Sequence, residues 1–119
     1  PARYTQEFMA KYDTFTVSFF PESYHKALGY LGSHSGRDDN KVANSGLTPV
    51  VAGDGVTFKE AELTFVCKKL YEHQFDEAHL ADKIKEYYAA NPTAYTQIGH
   101  DRWEPHYMYI GEVLEAIEK

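Results

Sequence analysis

AELTFVCKKLYEHQF, Ala61–Phe75, is the stretch on which the fold turns. Ala61, Leu63, Phe65 and Cys67 recur at every second position, the side-chain period of a strand, so they share one face. The run is long enough to be the principal strand of a sheet. Upstream, LTPVVAGDGVTF (Leu47–Phe58) places two short apolar arms around Gly53-Asp54-Gly55, where Asp-Gly favours the positive φ of a tight hairpin turn. TFTVSFF (Thr14–Phe20) alternates β-branched and aromatic residues and is stopped as a strand by Pro21. Downstream, HYMYIGEV (His106–Val113) is a further strand in which Gly111 marks a bulge or a close approach. LEAIEK (Leu114–Lys119) has a local preference for helix but is read here as a continuation of that strand.

Helical periodicity fills the gaps. RYTQEFMAKY (Arg3–Tyr12) spaces Tyr4, Phe8, Met9 and Tyr12 as one apolar face. PESYHKALGYLG (Pro21–Gly32) starts with Pro21 near the first turn and ends on Gly32 as a left-handed cap. Asp38 is placed to cap a short helix running to about Ser45. DEAHLADKIKEYYAAN (Asp76–Asn91) reads as a charged amphipathic helix ended by Asn91-Pro92. The order helix, strand, helices, hairpin, long strand, helix, strand does not alternate as a doubly wound fold does. It predicts a mainly β fold, an antiparallel sheet or barrel with peripheral helices.

At 119 residues the chain is one domain, 1–119, with enough residues for a single core. Apolar residues at 43% and charged residues at 25% are ordinary for a soluble globular protein. Ten tyrosines and seven phenylalanines favour a strand-containing core; rings also suit planar ligands, but packing is their commoner use. A net charge of −6 without any basic block argues against nucleic acid, whose binding needs a concentrated positive surface. No apolar run approaches the roughly 20 residues of a membrane helix. No secretory signal opens the chain. The single Cys67 cannot form an internal disulfide, which points to a reducing, cytoplasmic setting, and its alternating apolar neighbourhood predicts a buried, inert thiol. PARYT begins without an initiator Met, and the expectation is a processed or truncated piece.

Metal, hydrolase and phosphate-loop chemistry find no support. Of six histidines, the pairs His73/His79 and His100/His106 lack both the i, i+4 spacing of a helical pair and a neighbouring cysteine pair. No nucleophile elbow, Cys/His signature or Walker loop occurs. Eighteen acidic residues make chance carboxylate pairs common, so none singles itself out. Two stretches remain. Arg3 and Thr5 stand at a helix start, where free amides and the dipole favour a phosphate and a guanidinium adds paired donors; a plain helix start with a surface arginine is the other reading. In LGSHSGRDDNK (Leu31–Lys41), Ser33 and Ser35 offer hydroxyls, Gly36 admits close approach, and Lys41 lies one turn into the next helix. Asp38 and Asp39 would repel an anion and suit capping and pairing with Arg37, so a solvated turn is the alternative there.

In sequence order, P-x-R-Y-T before a helix, F-T-V-S-F-F, G-S-x-S-G-R-D-x-x-K, the E-A-x-L-x-x-x-C strand and H-Y-M-Y-I-G-E-V resemble the flavin reductase-like family. These are FMN-binding split-barrel proteins that include the flavoredoxins, and the resemblance runs along almost the whole chain. It implies a Greek-key split β-barrel, a homodimer, and FMN near the dimer interface. Carried over by position, Arg3, Tyr4 and Thr5 are the segment that holds the FMN phosphate and ribityl chain. Ser33, Ser35, Gly36 and Lys41 are the loop approaching the flavin, with Lys41 its positive group, and His106 is the catalytic histidine facing the flavin or its reductant. The implied activity is electron transfer from NAD(P)H through bound FMN to an acceptor. Family members carry further N-terminal strands that contact the isoalloxazine ring, so the expectation is an N-terminally incomplete barrel whose missing segment comes from upstream sequence or another chain. A non-catalytic dimeric module, flavin-binding or flavin-free, is the competing expectation.

Overall fold

The strand expected at Ala61–Phe75 is the centre of the molecule. In the computed structural model β4 (Leu63–Gln74) lies between β1 (Thr14–Phe19) and β5 (Tyr107–Glu118), antiparallel to both. The structure describes residues 4–34, 40–96 and 101–119. β5 continues through LEAIEK, with Glu115 opposite Val66 and Ile117 opposite Thr64; pairing to a central strand overrides the local helix preference. The β4–β5 register slips twice, between Val66 and Cys67 and between Lys69 and Tyr71. The second slip falls at Gly111, which pairs with Lys69. A Cβ on Gly111 would lie 2.5 Å from Cζ of Phe15 and 3.2 Å from Cβ of Cys67, so this glycine is both bulge neighbour and close approach.

A second, two-stranded sheet is the expected hairpin, β2 (Pro49–Ala52) and β3 (Gly55–Phe58). Its positive φ falls on Gly53 (56°) at the first central position of the turn, not on the Asp54-Gly55 pair that the sequence favoured. The hairpin covers one face of the main sheet. Strict alternation puts Thr16, Ser18, Thr64 and Val66 on that face. Thr16 Oγ1 donates to the Val56 carbonyl at 2.6 Å, and Thr57 Oγ1 sits 2.6 Å from Ser18 Oγ and 2.8 Å from Thr64 Oγ1. Hydroxyls both donate and accept, so this buried cluster satisfies itself. Around it Leu47, Ala52, Ala61 and Val66 are buried, and Cys67 is buried on the other face, beside Phe15 and Gly111. The burial of Cys67 agrees with an inert thiol. The opposite face, which carries Phe15, Val17, Phe19 and Phe65, is less covered: Val17 and Phe19 are 40% and 46% exposed.

The helices are peripheral. α1 (Tyr4–Lys11) is tied to the sheet by Lys69, whose Nζ donates to the Met9 carbonyl at 2.8 Å. Pro21 precedes a 3-10 turn, Glu22–Tyr24, that leads into α2 (His25–Ser33). Gly32 is not a left-handed cap: α2 runs past it and ends where His34 turns extended at φ −121°. The left-handed cap belongs to α3 (Lys41–Ser45), at Gly46 with φ 80°. Asp38, the cap expected for α3, lies outside the described residues. The helix expected over Asp76–Asn91 is divided. The Asp76 carboxylate accepts from the Ala78 amide at 2.9 Å, which closes a short 3-10 turn, Glu77–His79. That local bond competes with helix continuation. The chain then extends at Leu80 before α4 (Asp82–Ala90), and Pro92 opens α5 (Pro92–Tyr95), the position where its missing N–H costs nothing.

Candidate functional site

Beside β1, between α1 and the hairpin turn, is a cleft of about 380 Å³. That volume falls within the range of small-molecule pockets, about 300–1,000 Å³. Phe8 and Tyr12, one helical turn apart and stacked with centroids 6.5 Å apart, form one wall with Thr5. Thr14, Phe15 and Thr16 form the floor, and Asp54, Gly55 and Val56 the far wall. Thr5 is exposed in the first turn of α1, where backbone N–H groups lack helical partners and the dipole favours negative charge. The aromatic and aliphatic lining suits a flat apolar ring. Asp54 on the opposite wall disfavours an anion there, so an anionic group is confined to the Thr5 side. The Thr16 hydroxyl already donates to Val56.

Ser33 and Lys41 meet at a second place, the C-terminal end of α2. Lys41 Nζ donates to the carbonyls of Leu31 and His34, both at 3.0 Å. These are orphan acceptors of a helix end, where a cation also complements the dipole. Ser33 Oγ donates to the Tyr30 carbonyl at 3.2 Å and lies 3.0 Å from Nδ1 of His34, whose ring stacks on Tyr30 with centroids 3.9 Å apart. The ammonium and the hydroxyl thus serve the helix end and staple α3 to α2. Ser35 and Gly36 lie outside the described residues, as does Arg3; Tyr4 is the first residue of α1.

His106 stands at a third place, just before β5. Its carbonyl accepts from the Phe75 amide at 2.9 Å. Its backbone N–H donates to Oη of Tyr88 at 3.1 Å, and its Nδ1 is hydrogen-bonded to the same oxygen. Tyr88, from α4, stacks on Trp103 with centroids 5.0 Å apart and meets Tyr95 edge-on at 4.9 Å. The Arg102 guanidinium lies 4.7 Å from the Trp103 ring centroid and is paired with Glu77 at 2.8 Å. Nearby, the Ala78 amide above all, and then the His79 side chain, hold the Asp76 carboxyl below the usual aspartate range.

These three places are far apart in one chain. β4 is 12 residues long, about 40 Å at strand rise. The chain enters α2 from the end where Phe19 pairs with Leu63, whereas His106 lies beyond the Gln74–Tyr107 pair at the other end. α2, with nine residues, reaches only about 13 Å. One copy therefore does not bring His106 to Lys41 and Ser33. The cleft lies between, beside Thr14–Thr16 opposite Val66–Lys68. Asp54 and Val56 as cleft walls are not legible in the sequence, since their stretch reads only as a turn, and neither is Tyr88 as the partner of His106. Among the described residues no group of three His, Cys, Asp or Glu side chains is placed to hold a metal ion, and no helix is long and apolar enough to cross a membrane.

No family model and no curated protein matches the chain by sequence. Solved structures match it in fold. The FMN-binding protein from Thermus thermophilus with bound 1-cyclohex-2-enone superposes with a TM-score of 0.68 at 22% identity, over 99% of this chain and 49% of that one. An FMN-binding domain of a flavin reductases-like enzyme from Shewanella baltica gives 0.60 at 21% identity, over 96% of this chain and 47% of that one. The flavoredoxin of Desulfovibrio vulgaris gives 0.55 at 22% identity, over 96% of this chain and 68% of that one. The chain spans about half the length of the first two. At such identities the likeness is one of fold: the strand-rich split-barrel type with peripheral helices that the sequence predicts.

Proposed function

We propose that this chain forms part of the FMN site of a flavin-dependent oxidoreductase. The observation that carries the reading is the α1 cleft, in which the exposed Thr5 hydroxyl and the helix N-terminus open onto an aromatic-walled space, within a fold shared with solved FMN-binding proteins. The cleft fits FMN at its phosphate end through Thr5 and the first amides of α1, while Asp54 keeps the anionic end on their side; the resemblance adds Arg3 and Tyr4 to the residues that hold the phosphate and ribityl chain. Bound FMN supplies hydride acceptance from NAD(P)H and onward electron transfer, while the protein supplies binding and orientation. Ser33, Ser35, Gly36 and Lys41 form the loop nearest the ring, and His106 faces the flavin or its reductant. Because Lys41 caps α2, which is entered from the Phe19–Leu63 end of the sheet, and His106 adjoins the Gln74–Tyr107 end, a site that uses both draws them from two copies, which is the reason to propose a homodimer.

A second reading has an observation of its own. Lys41 and Ser33 are engaged at the end of α2, as in a flavin-free dimeric module. Titrating the purified chain with FMN, followed by quenching of flavin fluorescence, separates the two. The first reading expects saturable quenching that Thr5→Val weakens about tenfold, the worth of one hydrogen bond to a charged group. No quenching supports the module instead, and quenching indifferent to Thr5→Val takes the phosphate end away from the α1 cleft.

A further inference from the structure

We propose that Tyr88 is a positioning residue that holds neutral His106 as its Nε2–H tautomer, so that the ring meets a ligand as a hydrogen-bond donor to a carbonyl or anionic oxygen and not as a proton acceptor. The role toward a ligand rests on the reading above that His106 faces the flavin or its reductant; the tautomer does not.

The argument is one of counting hydrogens. The phenol oxygen of Tyr88 makes two hydrogen bonds, both to His106. In the first, at 3.1 Å, the donor is fixed, because a backbone N–H can only donate; Oη is the acceptor. The hydroxyl's own single hydrogen then needs an acceptor. Tyr88 is only 4% exposed, so water is no general substitute, and the other hydrogen bond of its oxygen is to Nδ1 of His106. The O–H donates to Nδ1, Nδ1 is a lone pair, and the ring proton of the neutral imidazole resides on Nε2. Gripping main chain and ring of one residue with one oxygen also fixes the ring's direction. The grip is itself anchored, since the Tyr88 ring is packed by Trp103 and Tyr95, and Arg102 ties Trp103 to Glu77. A neutral histidine so held cannot take a proton at Nε2. It can donate one hydrogen bond there, which suits a ring or carboxamide carbonyl oxygen.

Long-range proton–nitrogen correlation spectra of the 15N-histidine-labelled full chain test this, at about pH 8 where an ordinary imidazole is neutral. His106→Gln identifies the signal. The expected wild-type pattern for His106 is the Nε2–H tautomer alone, and Tyr88→Phe is expected to admit a share of Nδ1–H. An Nδ1–H pattern in the wild type overturns the proposal, and so does a tautomer that Tyr88→Phe leaves unchanged. Should Tyr88→Phe not fold, the wild-type pattern alone decides. Adding FMN and then reduced nicotinamide cofactor to the same sample tests the other reading separately: an unmoved His106 signal sinks its role facing the flavin without touching the tautomer.

Discussion

Gly111→Ala probes the crossing of β1 and β5 side chains over β4. The new Cβ would stand 2.5 Å from Cζ and 2.9 Å from Cε1 of Phe15, and 3.2 Å from Cβ of Cys67. Carbon atoms rest about 3.5–4.0 Å apart, so the ring must retreat by about 1 Å. Overpacking of this kind costs about 1–3 kcal/mol. Restricting the unfolded chain returns about 0.4–1 kcal/mol, since the native φ of Gly111 is not positive. The net expectation is a loss of about 0.5–2 kcal/mol. Phe15→Leu removes the two ring atoms that clash, at a cost of its own of up to about 1.5 kcal/mol. In the double variant, Gly111→Ala should then be neutral or stabilising, a coupling of about 1 kcal/mol or more. Urea unfolding by circular dichroism, at one fixed protein concentration, measures all four corners of the cycle. Two additive substitutions, or a Gly111→Ala that stabilises the wild type, would refute the packing argument.

Lys41→Met removes the ammonium that caps Leu31 and His34, and is expected to lower stability by about 1 kcal/mol in the same assay; no change would mean that the cap contributes nothing. Asp76 provides a pH test. Its folded pKa is lowered by the Ala78 amide first and His79 second, so the stabilisation is fully present above the unfolded aspartate pKa and is lost as pH falls through the lower folded value. A carboxyl-carbon NMR titration should give a midpoint below that of free aspartate, and one at or above it would deny the Ala78 contact.

Strands were legible because their signal is local and repeated. Ala61, Leu63, Phe65 and Cys67 keep a period of two, and Asp54-Gly55 announces a turn whatever lies around it. Helix ends were not, because they depend on competition between bonds that the sequence leaves open. Gly32 looks like a stop, yet α2 runs one residue further to Ser33, and Lys41 caps its carbonyls from a distance of ten residues in the chain. Asp76 looks like the start of one long helix, yet its bond to Ala78 makes a separate turn. In both places a side chain settles which backbone group is satisfied, and residue preference alone does not rank the options.

The candidate site was legible in its parts and not in its arrangement. A motif tells which residues carry chemistry; it does not tell whether they meet within one copy. Thr5 reaches a cleft whose far wall, Asp54 to Val56, comes from a hairpin some fifty residues later, and the Thr16–Val56 bond and the hydroxyl cluster below it tie that hairpin to β1. For Lys41 and His106 the geometry is more demanding, because Lys41 caps α2, which the chain enters from the Phe19–Leu63 end of the sheet, whereas His106 adjoins the Gln74–Tyr107 end. On the proposed reading, a two-fold axis crossing the middle of the β4–β5 ribbon exchanges its ends and sets His106 of one copy toward the α2 end of the other. The half-covered face with Val17 and Phe19 gives such a pair apolar surface to bury. Gel filtration with light scattering then has a definite expectation, twice 13.6 kDa, and a persistent monomer would separate His106 from Lys41 for good.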